Sequence, residues 1–325
     1  MVRTRLTLMA VLLALLGFAL LSLFPSDLPA AEKLKYGSSV KSPTFYLPIL
    51  AAEEKGIWKQ NGLNVEWVPF KSGGAHYRAF AAGATKIGAS MTAADIRSAA
   101  RGVPVVIVSN LQVKDEFALW VLTKSRFNKP GDLKGAKIGV SRYGGTEHSY
   151  GQVVIKQLGL IEDVKFVSTG GTRESVAVLT TGKIDGVVLS PRQLIRLKLQ
   201  GRIKELLYVR HYLPQPWGSH VVVAHKDLIR AEPNTVKAVV RSILQANRFV
   251  ESKQGEPWAL AKMMEMNRYS DKEAKIIYDG MEFSLDGKLK RKAVENVRAF
   301  LIEYGLVKAN ETPPVDELFT VRFIP

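Results

Sequence analysis

Cysteine is absent from the 325-residue chain. A chain without thiols has no disulfide framework, no thiolate metal site, no cysteine nucleophile and no cysteine that could carry a lipid anchor. Burial of apolar residues must therefore hold the fold. A hydrophobic content of 46% and an aromatic content of 9% are sufficient for that.

The motifs of several common enzyme sites are also missing. The glycine turn at residues 141–146 (SRYGGT) is not followed by the lysine of a nucleotide phosphate loop, and no G-x-S-x-G elbow occurs. The five histidines include no pair at the helical spacing of metal ligands. We therefore predict that the protein is not an enzyme, with no catalytic residues, no metal site and no cofactor.

Negative charge is scarce. The chain has 30 acidic residues and 46 lysines and arginines, so its net charge is +16. Such a balance favours nucleic acid, an anionic membrane or an anionic solute as a partner. The basic residues are scattered, and the tight run KLKRK at residues 288–292 has no interleaved aromatic residue. This pattern argues against nucleic-acid binding and for a solvated face.

The N terminus has the order of a secretory signal peptide. Arg3 and Arg5 precede an apolar run at residues 6–24, and small residues end the segment PSDLPAA at residues 25–31. We predict that residues 1–31 are a signal peptide, cleaved after Ala30 or Ala31. The alternative is an uncleaved membrane anchor, because about 19 mostly apolar residues nearly suffice to span a bilayer.

Downstream, short apolar strands alternate with helices, which predicts parallel βαβ units. The chain from residue 226 onward is predicted to be mostly helical, with a surface extension from Pro313. The predicted strands cover residues 34–37, 63–70, 87–91, 103–109, 117–123, 137–140, 165–167, 187–189, 206–209 and 220–224.

An internal echo indicates two similar modules. AGATKIG at residues 82–88 precedes Ser90 much as TGKIDG at residues 181–186 precedes Ser190. We interpret the chain as one lobe at residues 32–123 and 217–325, interrupted by a second lobe at residues 124–216. Strands 117–123 and 220–224 are predicted to pair with each other, antiparallel, where the chain leaves and re-enters the first lobe. Two such crossings would restrict motion between the lobes to a hinge bend.

The clearest site signal lies at residues 137–159. A strand enters the turn Gly144-Gly145, and a helix with an apolar stripe leaves it, for which Thr146 is the predicted N-cap. Free backbone N–H groups and the positive helix end then point at one spot, which suits a small anion.

Three segments resemble the periplasmic solute-binding proteins of ABC transporters of the nitrate/sulfonate/taurine type. They are AAEEKGIWKQNGLNVEWVPF at residues 51–70, DLKGAKIGV at 132–140 and TGKIDGVVLSP at 181–191. The resemblance implies an α/β fold of the two-lobed, periplasmic-binding-protein type (type II). Each lobe would be a mixed, mostly parallel sheet flanked by helices, with two hinge crossings. It also implies a periplasmic protein, expected to be a monomer. Such a protein captures a small anionic solute, such as a sulfonate, nitrate or carboxylate, and delivers it to an ABC permease in the inner membrane.

In that family the ligand lies between the lobes, held by strand-to-helix turns. Each implied position also has a plain structural interpretation: the glycines as turn residues, Thr92, Thr146 and Ser190 as helix caps, and Trp217 as core. Arg142, Arg173 and Arg192 are candidates for pairing with an anionic head group. The positions that the resemblance implies as ligand-binding are Thr44, Phe45, Ser72, Gly73, Gly74, Thr92, Ala93, Gly144, Gly145, Thr146, His148, Ser190, Pro191, Arg192 and Trp217.

Two other functions stay open. One is an enzyme of the same fold, since thiamin-pyrimidine synthases resemble this family, although they carry a cysteine-rich motif that this chain cannot have. The other is an exported sensor that presents its bound solute to a membrane receptor.

Overall fold

The computed structural model describes residues 33–38, 43–114 and 117–325. The predicted signal peptide lies outside these described residues. Within them, every helix falls short of the length and apolar character that a membrane crossing requires.

Up to residue 225 strands alternate with helices as predicted, except that no α-helix of the described residues separates the strands within residues 105–140 or within residues 203–225, and helices then dominate. The strands are β1 (Leu34–Ser38), β2 (Val65–Pro69), β3 (Ile87–Met91), β4 (Val105–Asn110), β5 (Ala118–Leu122), β6 (Lys137–Val140), β7 (Lys165–Ser168), β8 (Gly186–Leu189), β9 (Ile203–Tyr208) and β10 (His220–His225). The α-helices are α1 (Pro43–Glu54), α2 (Ile57–Gln60), α3 (Gly73–Ala81), α4 (Thr92–Ala99), α5 (Thr146–Gln157), α6 (Thr172–Thr180), α7 (Pro191–Leu199), α8 (Lys226–Ala231), α9 (Pro233–Val250), α10 (Gly255–Asn267), α11 (Asp271–Gly280), α12 (Arg291–Glu303) and α13 (Val315–Leu318).

The strands form two five-stranded mixed sheets of the same design, and each sheet with its helices is one lobe. The first sheet has the order β2-β1-β3-β10-β4, and the second has the order β7-β6-β8-β5-β9. In the first, β1 and β3 are parallel and β10 is antiparallel to β3 and β4. In the second, β6 is parallel to β7 and β8, and β5 is antiparallel to β8 and β9.

The matching designs of the two sheets confirm the prediction of two similar modules, which was made from the internal echo in the sequence. The echoed segments lead into β3 and β8, which occupy the same third position in their sheets. Parallel strands joined through helices bury both faces, which is why these strands are short apolar runs without strict alternation.

The predicted pairing between residues 117–123 and 220–224 is wrong. Strand β5 pairs with β8 and β9 in the second sheet, while β10 pairs with β3 and β4 in the first. The two strands instead take equivalent fourth positions in different sheets. The strand at Ala118–Leu122 therefore belongs to the second lobe; the residue bounds of the lobes otherwise stay a prediction.

The predicted surface extension at the C terminus is also wrong. Val315, Leu318 and Phe323 are buried. Phe319 forms a parallel bridge with Ile107 of β4, and the Thr320 N–H donates to the Ile107 carbonyl at 3.0 Å. The tail therefore covers the free edge of β4, where unpaired backbone groups would otherwise be exposed.

Candidate functional site

A cavity of about 390 Å³ lies between the two lobes, and we call it the cleft cavity. The first lobe lines it with the beginnings of α1 and α3 and with the end of β3. The second lobe lines it with the turns before α5 and α6. Its lining residues are Phe45, Tyr46, Lys71, Ser72, Gly73, Tyr77, Ser90, Met91, Ala94, Arg97, Phe117, Ser141, Arg142, Gly145, Thr146, Glu147, Gly170, Gly171, Thr172, Gln193 and His220.

Helix beginnings from both lobes face this cavity. In the first lobe, Ser72 caps α3, and its hydroxyl accepts from the Ala75 N–H at 3.3 Å. In the second lobe, α5 follows Gly145 and α6 follows Gly171, and neither N-cap offers a side-chain hydrogen bond. The first N–H groups of a helix have no partner inside it, so those of α5 and α6 are available to an anionic ligand.

The charges that line the cleft cavity are mainly positive. Among the described lining residues, three are basic (Lys71, Arg97 and Arg142) and one is acidic (Glu147). The lining therefore has an excess of two positive charges. Burial lowers the pKa of Arg97. Fixed positive charge beside helix N-termini favours a negatively charged guest.

The lobes touch around the cavity. Arg97 of α4 donates from Nη1 to the Gly144 carbonyl of the second lobe at 2.5 Å. On another side, the Arg192 guanidinium stacks on the Phe45 ring, with Cζ 3.5 Å from the ring centroid. Space nevertheless remains between the lobes, because glycines from both turns, Gly73 and Gly145, line the same cavity.

Beneath the first-lobe wall lies a buried carboxyl group. Tyr77 and Ser90, which both line the cavity, each donate a hydroxyl hydrogen bond of 2.6 Å to the same oxygen of Asp95. Burial raises the pKa of Asp95 to about 7, because the charged form loses its hydration there. Asp95 thus fixes the orientation of two hydroxyl groups at the cavity surface.

His220 forms part of the cavity wall and packs on Phe45, with ring centroids 4.5 Å apart. Burial, followed by the positive charge of Arg192, lowers the pKa of His220 to about 3. The imidazole is therefore neutral at ordinary pH and can offer a hydrogen bond without a charge.

The structure brings five of the predicted ligand positions together around the cleft cavity: Phe45, Ser72, Gly73, Gly145 and Thr146. Gly74 and Gly144 line an adjoining cavity, and Pro191 and Arg192 line a third cavity next to α11. Six others line none of these three cavities: Thr44, Thr92, Ala93, His148, Ser190 and Trp217.

Several of those six have structural partners instead. Thr92 donates to the Ser219 carbonyl at 3.0 Å. His148 accepts from the Gly144 N–H at 3.1 Å and so holds the glycine turn in shape. Trp217 donates to the Tyr150 hydroxyl at 3.2 Å within the core.

Two of the three predicted helix caps are wrong. Thr92 and Thr146 are the first residues of α4 and α5, whose N-caps are Met91 and Gly145. Ser190 is confirmed as the N-cap of α7, and its N–H donates to the Gln193 side chain at 2.9 Å.

The rule that ligands bind at strand-to-helix turns missed side chains that reach the cavity from elsewhere. Arg97 comes from the last turn of α4, Gln193 from inside α7, and His220 from the start of β10. No local motif marks these three residues. Lys71, by contrast, directly precedes Ser72, Gly73 and Gly74, which the sequence had already singled out.

Solved structures identify the architecture. The periplasmic aliphatic sulphonate binding protein SsuA from Escherichia coli superposes with a TM-score of 0.76 at 16% identity, covering 89% of this chain and 92% of SsuA. The periplasmic nitrate-binding protein NrtA from Synechocystis superposes with a TM-score of 0.68 at 14% identity, covering 90% and 86%. The chain therefore has the two-lobed fold of periplasmic binding proteins.

Sequence comparison identifies the family. The profile of the NMT1/THI5-like family matches residues 44–256, so the chain belongs to that family. A provisionally named thiamine biosynthesis protein of Haemophilus influenzae is 25% identical over 213 residues, which are 65% of this chain and 66% of that protein. The chain spans 61–66% of the length of the curated relatives it matches.

Proposed function

We propose that the protein is an exported, periplasmic solute-binding protein that captures a small anion in the cleft cavity and delivers it to an ABC permease of the inner membrane. It acts as a monomer and performs no chemistry on its ligand. Its lobes open and close about the two crossings, and the ligand favours the closed form because only that form contacts it from both sides.

One observation carries this proposal: a cavity between two lobes is lined by helix beginnings from each and has an excess of positive charge. Moving a two-state equilibrium from 1:99 to 99:1 needs roughly 5.5 kcal/mol of preference for the closed state. Hydrogen bonds to a charged group contribute about 1.5–3 kcal/mol each. Two to four such bonds, shared between α5, α6 and an arginine, are therefore enough.

The solute class follows from the same lining. Sulfonate, nitrate and carboxylate groups are small oxyanions that accept several N–H donors at once, and SsuA and NrtA are named for the first two. With an excess of two positive charges among the described lining residues, the cavity suits a singly or doubly charged head group.

A thermal-shift screen of the mature protein tests the proposal. Alkanesulfonates, nitrate, small carboxylates and aminopyrimidines are added one at a time, and hits are confirmed by calorimetry. A ligand at 100 times its dissociation constant stabilises the folded state by about 2.7 kcal/mol. No stabilisation by any of the anions would argue against the proposed function.

A substitution in the cavity wall then tests the site. Gly145 has a φ of −77°, which any residue can adopt, and an added Cβ would lie 3.2 Å from the Arg142 carbonyl. Gly145→Val should therefore keep the fold with a shift of a few tenths of an ångström at Arg142, and it should lose at least tenfold in affinity, because the added side chain stands in the turn that lines the cavity. Gly131→Val is the matched control, since a Cβ at Gly131 meets no atom within 4 Å. Equal affinity in the two variants would contradict the assignment of the site.

The second candidate function is the binding of a pyrimidine-type solute. In a variant of it, the protein is an enzyme of the same fold that acts on a pyrimidine-type substrate. Two observations favour it: the name of the Haemophilus influenzae relative, and Glu147, a carboxylate in the cavity that could accept from an amino group. Incubation with the aminopyrimidine hits, followed by NMR, separates the possibilities. New product signals indicate an enzyme, and unchanged signals with saturable binding indicate a binding protein.

A further inference from the structure

A second cavity, of about 500 Å³, adjoins the cleft cavity and is dominated by arginine. We call it the arginine basin. Its four arginines are Arg78 of α3, Arg97 of α4, Arg101 just beyond α4, and Arg142 from the second lobe. The two cavities share the lining residues Gly73, Tyr77, Ala94, Arg97 and Arg142.

The positive charge of the basin is not neutralised within the described part of the chain. No carboxylate lines the basin there. None of the four basin arginines lies within ion-pair distance of a carboxylate in the described part of the chain, whereas Arg196, Arg230 and Arg291 do. The positive charges of Arg101 and Arg142 add to burial in lowering the pKa of Arg97. Like charges have therefore been brought together without a counter-charge.

The basin draws its arginines from both lobes. Arg78, Arg97 and Arg101 stand on the first lobe, and Arg142 is carried by the turn that leads into α5. The Gly144 carbonyl, which accepts from Arg97, lies on the rim of the same basin. An anion held here would contact both lobes and would offset the repulsion that arises when they approach each other.

We propose that the arginine basin is a second anion site and that it binds a phosphate-type group. A guanidinium presents a planar fork of donors that matches two oxygens of a phosphate, and a phosphate carries enough charge and oxygens to engage several forks. The volume exceeds that of a single phosphate, so pyrophosphate or a phosphate ester also fits. The group is either a free anion or the phosphoryl end of a solute that reaches in from the cleft.

Binding of inorganic pyrophosphate to the mature protein tests the site. Calorimetry and thermal shift are run at low ionic strength with sodium chloride as the reference salt, because exposed charges are screened by salt. The test variant is Arg78→Gln/Arg101→Gln, since these two arginines line the basin and not the cleft cavity. The control, Arg202→Gln/Arg248→Gln, removes the same charge at two exposed arginines elsewhere.

We expect pyrophosphate to stabilise the wild type and the control, and to bind the test variant at least tenfold more weakly. Without pyrophosphate, the test variant should melt no lower than the wild type, because the substitutions relieve repulsion. Equal responses of the test and control variants would overturn the proposal, and so would a wild type that does not bind pyrophosphate. This readout needs no cleft ligand, so it can fail independently of the proposed function.

A further variant separates the two sources of the phosphate group. Gly171→Val adds a side chain at a residue that lines the cleft cavity and not the basin. Gly171 has an extended φ of 174°, and the added Cβ displaces only the flexible end of Glu174, so the variant should fold. If the basin binds a free anion, this variant keeps its affinity for pyrophosphate. If the phosphate belongs to a solute that spans both cavities, the phosphate ester of a compound that binds in the cleft screen, tested in the same way, loses affinity in Gly171→Val and in Arg78→Gln/Arg101→Gln alike.

Discussion

Asp95 should make the stability of the folded protein fall as pH rises from 3.8 to about 7. The Asp95 side chain is 2% exposed, and burial raises its pKa from 3.8 to about 7. Between these values the folded state keeps a proton that the unfolded chain has released. Stability therefore decreases with rising pH over this window and levels off above it.

The size of this effect follows from the two pKa values. The full difference corresponds to roughly 4 kcal/mol at about 1.36 kcal/mol per pKa unit. From pH 5 to pH 8 the same linkage gives a loss of roughly 2.5 kcal/mol in the free energy of unfolding. Asp95→Asn cannot ionise, and its amide oxygen can still accept from Tyr77 and Ser90. The variant should therefore lack this loss.

Urea unfolding at pH 5 and pH 8 measures the effect as a double difference. Other groups titrate in both proteins, so only the change in the gap between wild type and Asp95→Asn reports on Asp95. Glu66→Gln, which replaces an exposed carboxyl on β2, is the control and should show no such change. A gap between wild type and Asp95→Asn that is the same at both pH values would refute the reasoning.

Two further predictions concern stability. His76 is fully buried, its ring nitrogens have no partner in the described structure, and burial lowers its pKa to about 4. Its contribution is therefore present above pH 6.5 and lost as pH falls towards 4, so His76→Leu should lose roughly 2.4 kcal/mol less than the wild type between pH 7 and pH 4.5 in urea unfolding. Leu318→Ala should cost about 2–5 kcal/mol, because Leu318 is buried in the C-terminal tail, while Val321→Ala at an exposed position should cost less than about 0.5 kcal/mol. Equal acid sensitivity in the first comparison, or equal costs in the second, would contradict these assignments.

The order of strands and helices could be predicted because each is a local pattern. Strand β10, for example, is a short apolar run between a proline-rich loop and a helix. The partner of a strand is a different matter. All six residues of β10 are buried, and the first four of the five residues of β5 are buried, so the apolar pattern of either strand fits the middle of either sheet. The sequence pattern therefore could not decide between the two sheets, and the prediction paired the two strands with each other.

The tail shows the same limit in a shorter segment. Pro313-Pro314 favours a break in regular structure, and the few residues beyond it are too short for a periodic pattern to emerge. What holds the tail is the unpaired edge of β4, which accepts the Thr320 N–H through the Ile107 carbonyl. That edge exists only once the first sheet has formed, so nothing local to the tail could have indicated it.

The candidate site likewise contains some features that a local sequence pattern predicts and others that depend on the assembled fold. Backbone donors at the ends of strands are predictable, because a glycine turn that leads into a helix can be recognised from a few neighbouring residues, and Gly73 and Gly145 do face the cavity. The positive charge that lines the cavity is not marked by a local pattern. Arg97 lies in the last turn of α4, where a basic residue is ordinarily explained by the helix dipole. It becomes part of the site only because the second lobe places the Gly144 carbonyl 2.5 Å from its guanidinium. The proposed anion binding and the contact between the lobes therefore depend on the same side chain, and a sequence pattern within one lobe cannot reveal that connection.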